Sequence, residues 1–385
     1  MPKYRLLAPG PVPVPERVLQ AMARPVLHHR APEFIPVFEA VRADLKRVFQ
    51  TREEVLILSS SGTGAMEAAV SNFVSPGDCP VVVRGGKFGE RWAELCTSYG
   101  AEPHCVDVEW GQPVDPDAVR TAFERAPEAR CLFVQASETS TGVYHPIREL
   151  AAIVREQPDR LIVVDGISAV GVHDLPTDAW GLDVVISGSQ KSFMLPPGLA
   201  FLSLSERARS ALGRATGPRY YFDLRKELAV QPENQTAFTP AVSLLFGLRE
   251  SLEMMLADGL AVAFERHAML CRATREAAVA LGLELYAPVS PSHACTAIRV
   301  PDGLDGKGLV KRLRDVYGFT IAGGQGKAAG KIFRIGHLGY LDAFDTIAAV
   351  AALEMALSDL GLPVKLGEGT RTATELLRDF PQREG

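Results

Sequence analysis

Short, almost wholly apolar runs alternate with amphipathic stretches over the first half of this chain. The runs at 55–58, 81–83, 103–108, 131–136, 161–165, 184–187 and 199–204 read as strands. Between them, 34–50, 64–73, 87–98, 117–126 and 147–156 place apolar residues at helical spacing, as Phe38, Val41, Leu45 and Phe49 do in the first. Continuous apolar strands separated by amphipathic helices predict an α/β fold: a mostly parallel sheet with helices on both faces. Right-handed crossovers then bring the strand C-terminal ends to one edge, where open α/β sheets bind ligands. Ser61, Glu138 and Asp165 all fall at that edge.

The pattern differs elsewhere. Residues 1–35 are rich in proline and read as loop. Residues 213–240 carry Gly, Pro, Tyr and Asn and read as a long excursion, a feature that usually serves function. Helices are expected at 241–257 and 260–281. Strand 296–300, helix 307–317, strand 332–335 and helix 342–357 then predict a smaller α+β unit. Residues 360–385 are polar and are expected to wrap loosely or fray. The expected division is an N-terminal arm over 1–20, a large cofactor-binding domain over 21–258 and a small C-terminal domain over 259–385.

Composition narrows the function classes. A chain 47% hydrophobic and 23% charged has ordinary globular composition. A net charge of −5 makes no electrostatic case for nucleic acid or an anionic membrane. No apolar run reaches the ~18–20 residues of a membrane span, and the N-terminal residues lack a signal-like apolar core, so a cytoplasmic protein is expected. The six cysteines are scattered without metal-type spacing.

The candidate chemistry centres on Ser189-Gln190-Lys191-Ser192, which closes the run 183–188. Lys191 lies 26 residues after the aspartate that ends Val163-Val164-Asp165. Pyridoxal phosphate needs such a pair: an amine for a Schiff base, and a carboxylate to keep the pyridine nitrogen protonated. A lone lysine is ordinarily a solvated surface charge, but one placed between Gly188 and Pro196-Pro197-Gly198 can be desolvated and presented as neutral amine. A strand-terminal aspartate is often only a turn former; its pairing with Lys191 is what raises its significance. Ser60-Ser61-Gly62-Thr63-Gly64 offers backbone N–H groups at a helix start, where phosphate binds, although helix caps commonly look like this. Phe88 is either a core aromatic or a stacking platform. Arg334 is either an edge-strand arginine facing water or a bidentate carboxylate ligand.

Together these segments resemble the class V aminotransferases of pyridoxal-phosphate fold type I, nearest the alanine–glyoxylate and serine–glyoxylate (serine–pyruvate) enzymes. The likeness rests on LAPGPVPVPERVL, VFQTREEVLILSSSGTGAMEAAV, SETSTGVYHPI, VVDGISAVGV, SGSQKSFMLPPGLA, SLLFGLRESL and FRIGHLG, spanning Leu7 to about Leu357. It implies a seven-stranded sheet plus a smaller α+β domain. It implies Lys191 as the Schiff-base lysine and Asp165 as the pyridinium partner, with Ile167 beside it. Ser61, Gly62, Thr63 and Gln190 would serve the phosphate, Thr139 the phenolic oxygen, and Phe88 the ring, where the family often has tryptophan. Arg334 would take the substrate carboxylate, with Gly10 close by. Thr236 or Thr239 would reach a neighbouring subunit's phosphate, which implies a homodimer with its sites at the interface.

The resemblance implies ping-pong transamination from a small amino acid, serine or alanine, to glyoxylate or pyruvate. Aspartate or phosphoserine stay open as donors, since His28, His29 and Arg30 could serve a distal anion. A cysteine desulfurase would need a cysteine on a mobile loop before Arg334; 320–333 has none, and Cys295 is the nearest upstream. A dehydrogenase would need G-x-G-x-x-G after the first strand, which is absent. A non-catalytic binding protein would have no reason to keep both Lys191 and Asp165.

Overall fold

The protein was analysed as a computed structural model, which describes residues 3–378. Its main sheet is built from β1 (Val55–Leu58), β2 (Val81–Arg84), β3 (His104–Asp107), β4 (Cys131–Gln135), β5 (Leu161–Asp165), β6 (Val184–Gly188) and β7 (Ala200–Leu204). The spatial order is β1-β7-β6-β5-β4-β2-β3. Only β7 runs against the rest, pairing antiparallel with β1 and β6. Alternation along each strand divides the apolar side chains between two cores. Val83, Val134 and Val164 face one layer; Val82, Phe133 and Val163 face the other. Because both faces are covered, the inner strands are mostly apolar, while the edge strand β3 is part-exposed and carries His104 and Asp107.

Register sets the site edge. β4 pairs with β5 up to Gln135 opposite Asp165, and β5 pairs with β6 up to Asp165 opposite Ile186. Asp165 and the segment leaving β6 toward Lys191 therefore emerge side by side. Two helices flank this edge, α1 (Gly62–Phe73) and α2 (Lys87–Ser98). α2 is docked by Trp92, fully buried with its ring 4.8 Å from that of Phe133. Truncating such a side chain typically costs ~3–5 kcal/mol.

After α3 (Val242–Leu256) and α4 (Leu260–Ala280) comes a second core. Its sheet has β8 (Cys295–Arg299), β9 (Ala322–Gly323) and β10 (Ile332–Gly336), ordered β8-β10-β9 and antiparallel. α5 (Gly306–Asp315), α6 (Ala343–Asp359) and α7 (Glu368–Leu377) complete it. β10 is thus the central strand, and Arg334 is not on an edge.

Four expectations are corrected. The proline-rich N-terminal stretch holds a helix, Glu16–Met22, and a strand, Arg5–Leu6, that pairs parallel with Phe319–Thr320. The excursion over 213–240 contains a helix, Leu224–Val230, whose start is capped by Asp223. The polar tail does not wrap loosely: α7 packs against α4, and Glu354 accepts hydrogen bonds from Gly367 N, Thr370 N and Thr370 Oγ1 at its start. Residues 379–385 of that expectation, and residues 1–2 of the arm, lie outside the described residues. Finally, α1 begins at Gly62 rather than at 64, which puts Gly62 and Thr63 in its first turn. No helix among the described residues is long and apolar enough to cross a membrane.

Candidate active site

Asp165, the last residue of β5, is almost fully buried, and its Oδ1 accepts the N–H of Ile167 at 2.9 Å. Burial pushes its carboxyl up to about 7; the nearby carboxylate of Glu138 adds to this, while Lys191 and Arg91 oppose it. Lys191 is also buried, and burial pushes its ammonium down to about 8 against the pull of Cys295 and Asp165. Two groups that ordinarily titrate far apart are thereby brought close in proton affinity. Such convergence is a mark of functional sites.

The N-terminal loop closes over the lysine. Lys191 Nζ donates to the carbonyl of Pro9, and Gly10 follows at φ +100. A Cβ at Gly10 would lie 2.5 Å from Lys191 Cδ, so glycine is required by both backbone and space.

Ser61, Gly62 and Thr63 open α1 beside Ile167. Ser61 is the N-cap residue but its hydroxyl makes no capping bond. A Cβ at Gly62 would lie 2.5 Å from Ile167 Cδ1, so the bare helix start lets Ile167 approach. The first N–H groups of a helix have no intrahelical acceptor. Gln190 stands at the same place. A Cβ added at Gly188 would lie 3.2 Å from Gln190 Oε1 and 3.3 Å from Gly62 N. Gln190 Oε1 is buried without a hydrogen-bond partner. An orphaned amide beside unsatisfied N–H groups, lined by glycines, is a donor set suited to a phosphate; rotating the amide presents its NH₂.

Phe88 sits in the first turn of α2, and that turn is fastened by Glu138. Glu138 Oε2 accepts Phe88 N at 3.1 Å and Gly89 N at 3.0 Å. Its Oε1 accepts Ser140 N at 3.1 Å and Ser140 Oγ at 2.5 Å, and Ser140 Oγ in turn accepts Lys87 N at 2.9 Å. Glu138 is fully buried, and desolvation raises its proton affinity against these bonds.

Arg334, on β10, is 5% exposed and close enough to Lys191 to lower its proton affinity. Nη1 donates to Thr139 O at 2.7 Å; Nε and Nη2 donate to Gly323 O at 3.2 and 2.7 Å. Three of its five N–H groups are thus spent on backbone, leaving two to grip a carboxylate. Thr139, buried beneath it, also accepts from the Cys295 thiol at 3.7 Å. Burial pushes that thiol up to about 12, and Cys295 begins a strand rather than lying on a loop. Neither property suits a nucleophile.

Thr236 and Thr239 precede α3. Thr236 is buried with its hydroxyl unpartnered; Thr239 is exposed. His28 and His29 stack on each other at 4.7 Å, and Arg30 N donates to His28 Nδ1 at 3.2 Å. Among the described residues, no hydrogen bond or ion pair joins these three to Arg334. The structure therefore gathers Gly10, Asp165, Lys191, Thr139 and Arg334 in one neighbourhood, with the α1 and α2 helix starts near it. It leaves the 28–30 turn apart.

Sequence reasoning missed one residue of the site, Arg91, and the role of another, Glu138. Glu138 was placed at the sheet edge but given no role there. Arg91 was not noticed at all; its spacing of three from Phe88, which puts both on one helix face, is the signal that marks it.

Comparison with known proteins agrees with this geometry. The class V aminotransferase family profile matches residues 6–330. A soluble hydrogenase small subunit from Synechococcus sp. is 44% identical over 97% of this chain and 98% of its own length. A serine–glyoxylate aminotransferase from Hyphomicrobium methylovorum is 39% identical over 96% of this chain and 93% of its own. The crystal structure of an alanine–glyoxylate aminotransferase from Nostoc sp. superposes with a TM-score of 0.89 at 31% identity, covering 93% of this chain and 96% of that one. Among the described residues, no group of three or more His, Cys, Asp or Glu side chains is placed to hold a metal ion. A buried lysine and aspartate at the C-terminal edge of a mostly parallel sheet, matched over most of the chain by one profile, places this protein in the class V aminotransferases.

Proposed function

We propose that this aminotransferase is pyridoxal-phosphate-dependent and moves the amino group of a small amino acid, serine or alanine, to glyoxylate or pyruvate in a ping-pong cycle. The observation that carries the proposal is the buried Lys191 amine, held at about 8, close to the Asp165 carboxyl and to Arg334 with its two uncommitted N–H groups.

The residues fit the cofactor. Ser61, Gly62, Thr63 and Gln190 would hold its phosphate. Phe88 and Ile167 would hold its ring, Asp165 its ring nitrogen and Thr139 its phenolic oxygen. When bound, the cofactor supplies an electron sink for the carbanion formed at the substrate Cα. The chain does the rest. Lys191 Nζ removes the proton from Cα and returns it one position away, a task suited to an amine that titrates near the working pH. Asp165 keeps a proton at the ring nitrogen. Arg334 fixes the substrate α-carboxylate and so aims the Cα–H at Lys191. Pro9 and Gly10 exclude water above the amine. The same groups act in reverse on the keto acid.

A small donor is favoured because this reading assigns one cation, Arg334, to a substrate carboxylate. Aspartate or phosphoserine would need a further cation, for which His28, His29 and Arg30 are the candidates the sequence offers. Exposed Thr239 is the better placed of the two threonines to serve a neighbour, so the proposal includes a homodimer.

The test is an absorption spectrum of the protein loaded with pyridoxal phosphate, before and after serine, alanine, aspartate or phosphoserine. A band at roughly 410–430 nm that is bleached by serine or alanine, with the keto acid released, is the expected result. No band at all would sink the cofactor assignment; bleaching by aspartate or phosphoserine alone would sink the donor.

A further inference from the structure

Arg91 lies on α2, three residues after Phe88 and on the same helix face. Its guanidinium covers the Phe88 ring, 5.1 Å from the centroid. Its Nη1 donates to Thr63 Oγ1 at 3.1 Å, in the first turn of α1. Both contacts are to groups that the proposed function gives to the cofactor: an aromatic face and a hydroxyl at the phosphate end. The charge of Arg91 also reaches Asp165 and Lys191, lowering the proton affinity of each. In the chain alone, then, Arg91 spans the region between the ring platform and the phosphate turn.

Charge balance gives this arrangement a meaning. A phosphate monoester carries about −1.5 to −2 at pH 7. The start of α1 contributes only about +0.5. Ser61, Thr63 and Gln190 are neutral, and the segment Ser59-Ser60-Ser61-Gly62-Thr63-Gly64 contains no basic residue. Gln190 Oε1 is buried without a hydrogen-bond partner. A dianion held largely out of water needs a full positive charge beside it, and guanidinium meets phosphate with two parallel N–H bonds.

We propose that Arg91 is the counter-cation for the cofactor's phosphate, exchanging its bond to Thr63 Oγ1 and its cover of Phe88 for the phosphate oxygens when the cofactor binds. The exchange frees the Thr63 hydroxyl and one face of the Phe88 ring in the same movement. No bond is made or broken other than hydrogen bonds. The inference rests on the pyridoxal-phosphate reading above and deepens it by naming a phosphate ligand. The plainer alternative is that Arg91 only braces α1 against α2.

Phosphate dependence separates the two. The full-length apoprotein and its Arg91→Met and Arg91→Lys variants are titrated with pyridoxal phosphate and, separately, with pyridoxal, which lacks the phosphate, reading intrinsic fluorescence. Losing one charge-assisted contact is expected to weaken pyridoxal phosphate by roughly 10- to 100-fold in Arg91→Met. Pyridoxal binding should stay within about twofold of wild type, and Arg91→Lys should fall between. Inorganic phosphate should compete with pyridoxal phosphate for the wild-type protein and much less for Arg91→Met. Equal weakening of both ligands would overturn the inference in favour of a brace, as would no weakening of either. A wild-type apoprotein that takes up no pyridoxal phosphate would instead overturn the proposed function itself, and this inference with it.

Discussion

Gly10 and Lys191 meet although nearly half the chain separates them: a methyl group on Gly10 would lie 2.5 Å from Lys191 Cδ. The lysine amine also donates to the carbonyl of Pro9, so the N-terminal loop fixes where the amine points. Gly10→Ala would strain a backbone at φ +100 and push the lysine aside. We expect kcat to fall at least roughly 100-fold while the circular dichroism spectrum is unchanged, since a misplacement of about 1 Å costs that much. A variant retaining wild-type kcat would show that the loop is not a constraint on the lysine.

Arg334 holds itself with three N–H groups and offers two. Lysine at that position keeps the charge but cannot make the fork. Arg334→Lys should raise KM for the amino donor by roughly 10- to 100-fold, with a smaller change in kcat. Unchanged KM for both donor and keto acid would remove Arg334 from substrate binding.

Asp165 makes the apoprotein less stable. Its folded proton affinity, about 7, lies above the ordinary carboxylate value of 3.8, so folding disfavours the ionised form. The folded state binds more protons than the unfolded state across that window, and stability falls as pH rises from about 4 to 7. Asp165→Asn keeps an acceptor for Ile167 N and removes the charge. It should stabilise the apoprotein at pH 8 by about 2–4 kcal/mol while abolishing transamination. A lower apoprotein Tm in Asp165→Asn would contradict the assignment of burial as the dominant effect.

Acid should unfold the protein through its buried imidazoles. Burial pushes His145 and His293 down to about 4 and His337 to about 3, and holds His173 and His267 well below 6.5. The last four belong to one polar seam, buried except for the partly exposed His293. His173 stacks on His293 at 4.4 Å, Thr296 Oγ1 bonds His337 Nε2 at 2.9 Å, and Gly339 N donates to His267 Nε2 at 3.2 Å. Depressed folded values mean that this stability is present above about pH 6.5 and lost as pH falls toward 4, at roughly 3 kcal/mol for each ring with a folded value near 4. Urea midpoints measured from pH 7 to 4 should drop steadily; a flat profile to pH 4.5 would mean the rings are not buried as neutral groups.

Glu138 anchors the turn that carries Phe88, taking N–H groups from Phe88, Gly89 and Ser140. Glu138→Ala would leave these donors buried and unpaired, with an expected loss of about 2–4 kcal/mol, and Glu138→Gln should recover part of it. Equal stability of the three proteins in guanidinium unfolding would show that water replaces the carboxylate without cost.

The large sheet was legible because its strands are buried on both faces. Val81–Arg84, Cys131–Gln135 and Leu161–Asp165 carry continuous apolar runs, and helices such as Ile35–Phe49 carry 3.6-residue periodicity. Elements whose stability comes from remote partners were not legible. Arg5–Leu6 is a strand only because Phe319–Thr320 lies beside it, and Glu368–Leu377 is ordered by α4 and Glu354. Ala322–Gly323 has no strand signal of its own and exists as β10's partner.

The same division holds at the site. The places of Asp165 at the end of one apolar strand and of Lys191 just after another could be read from the sequence, because those strands are continuous apolar runs. The sequence also placed a helix start near Phe88 and a glycine-rich turn into a helix at Ser60–Gly64, although it began that helix two residues late. Only the tertiary structure decided that Pro9 and Gly10 press on Lys191, that Glu138 caps α2 from another strand, that Arg334 lies buried on a central strand, and that Arg91 reaches from α2 to Thr63. Each of these is a meeting of side chains or loops distant in sequence. Local pattern fixes where a residue sits on its own element, whereas which elements meet depends on burying many surfaces at once.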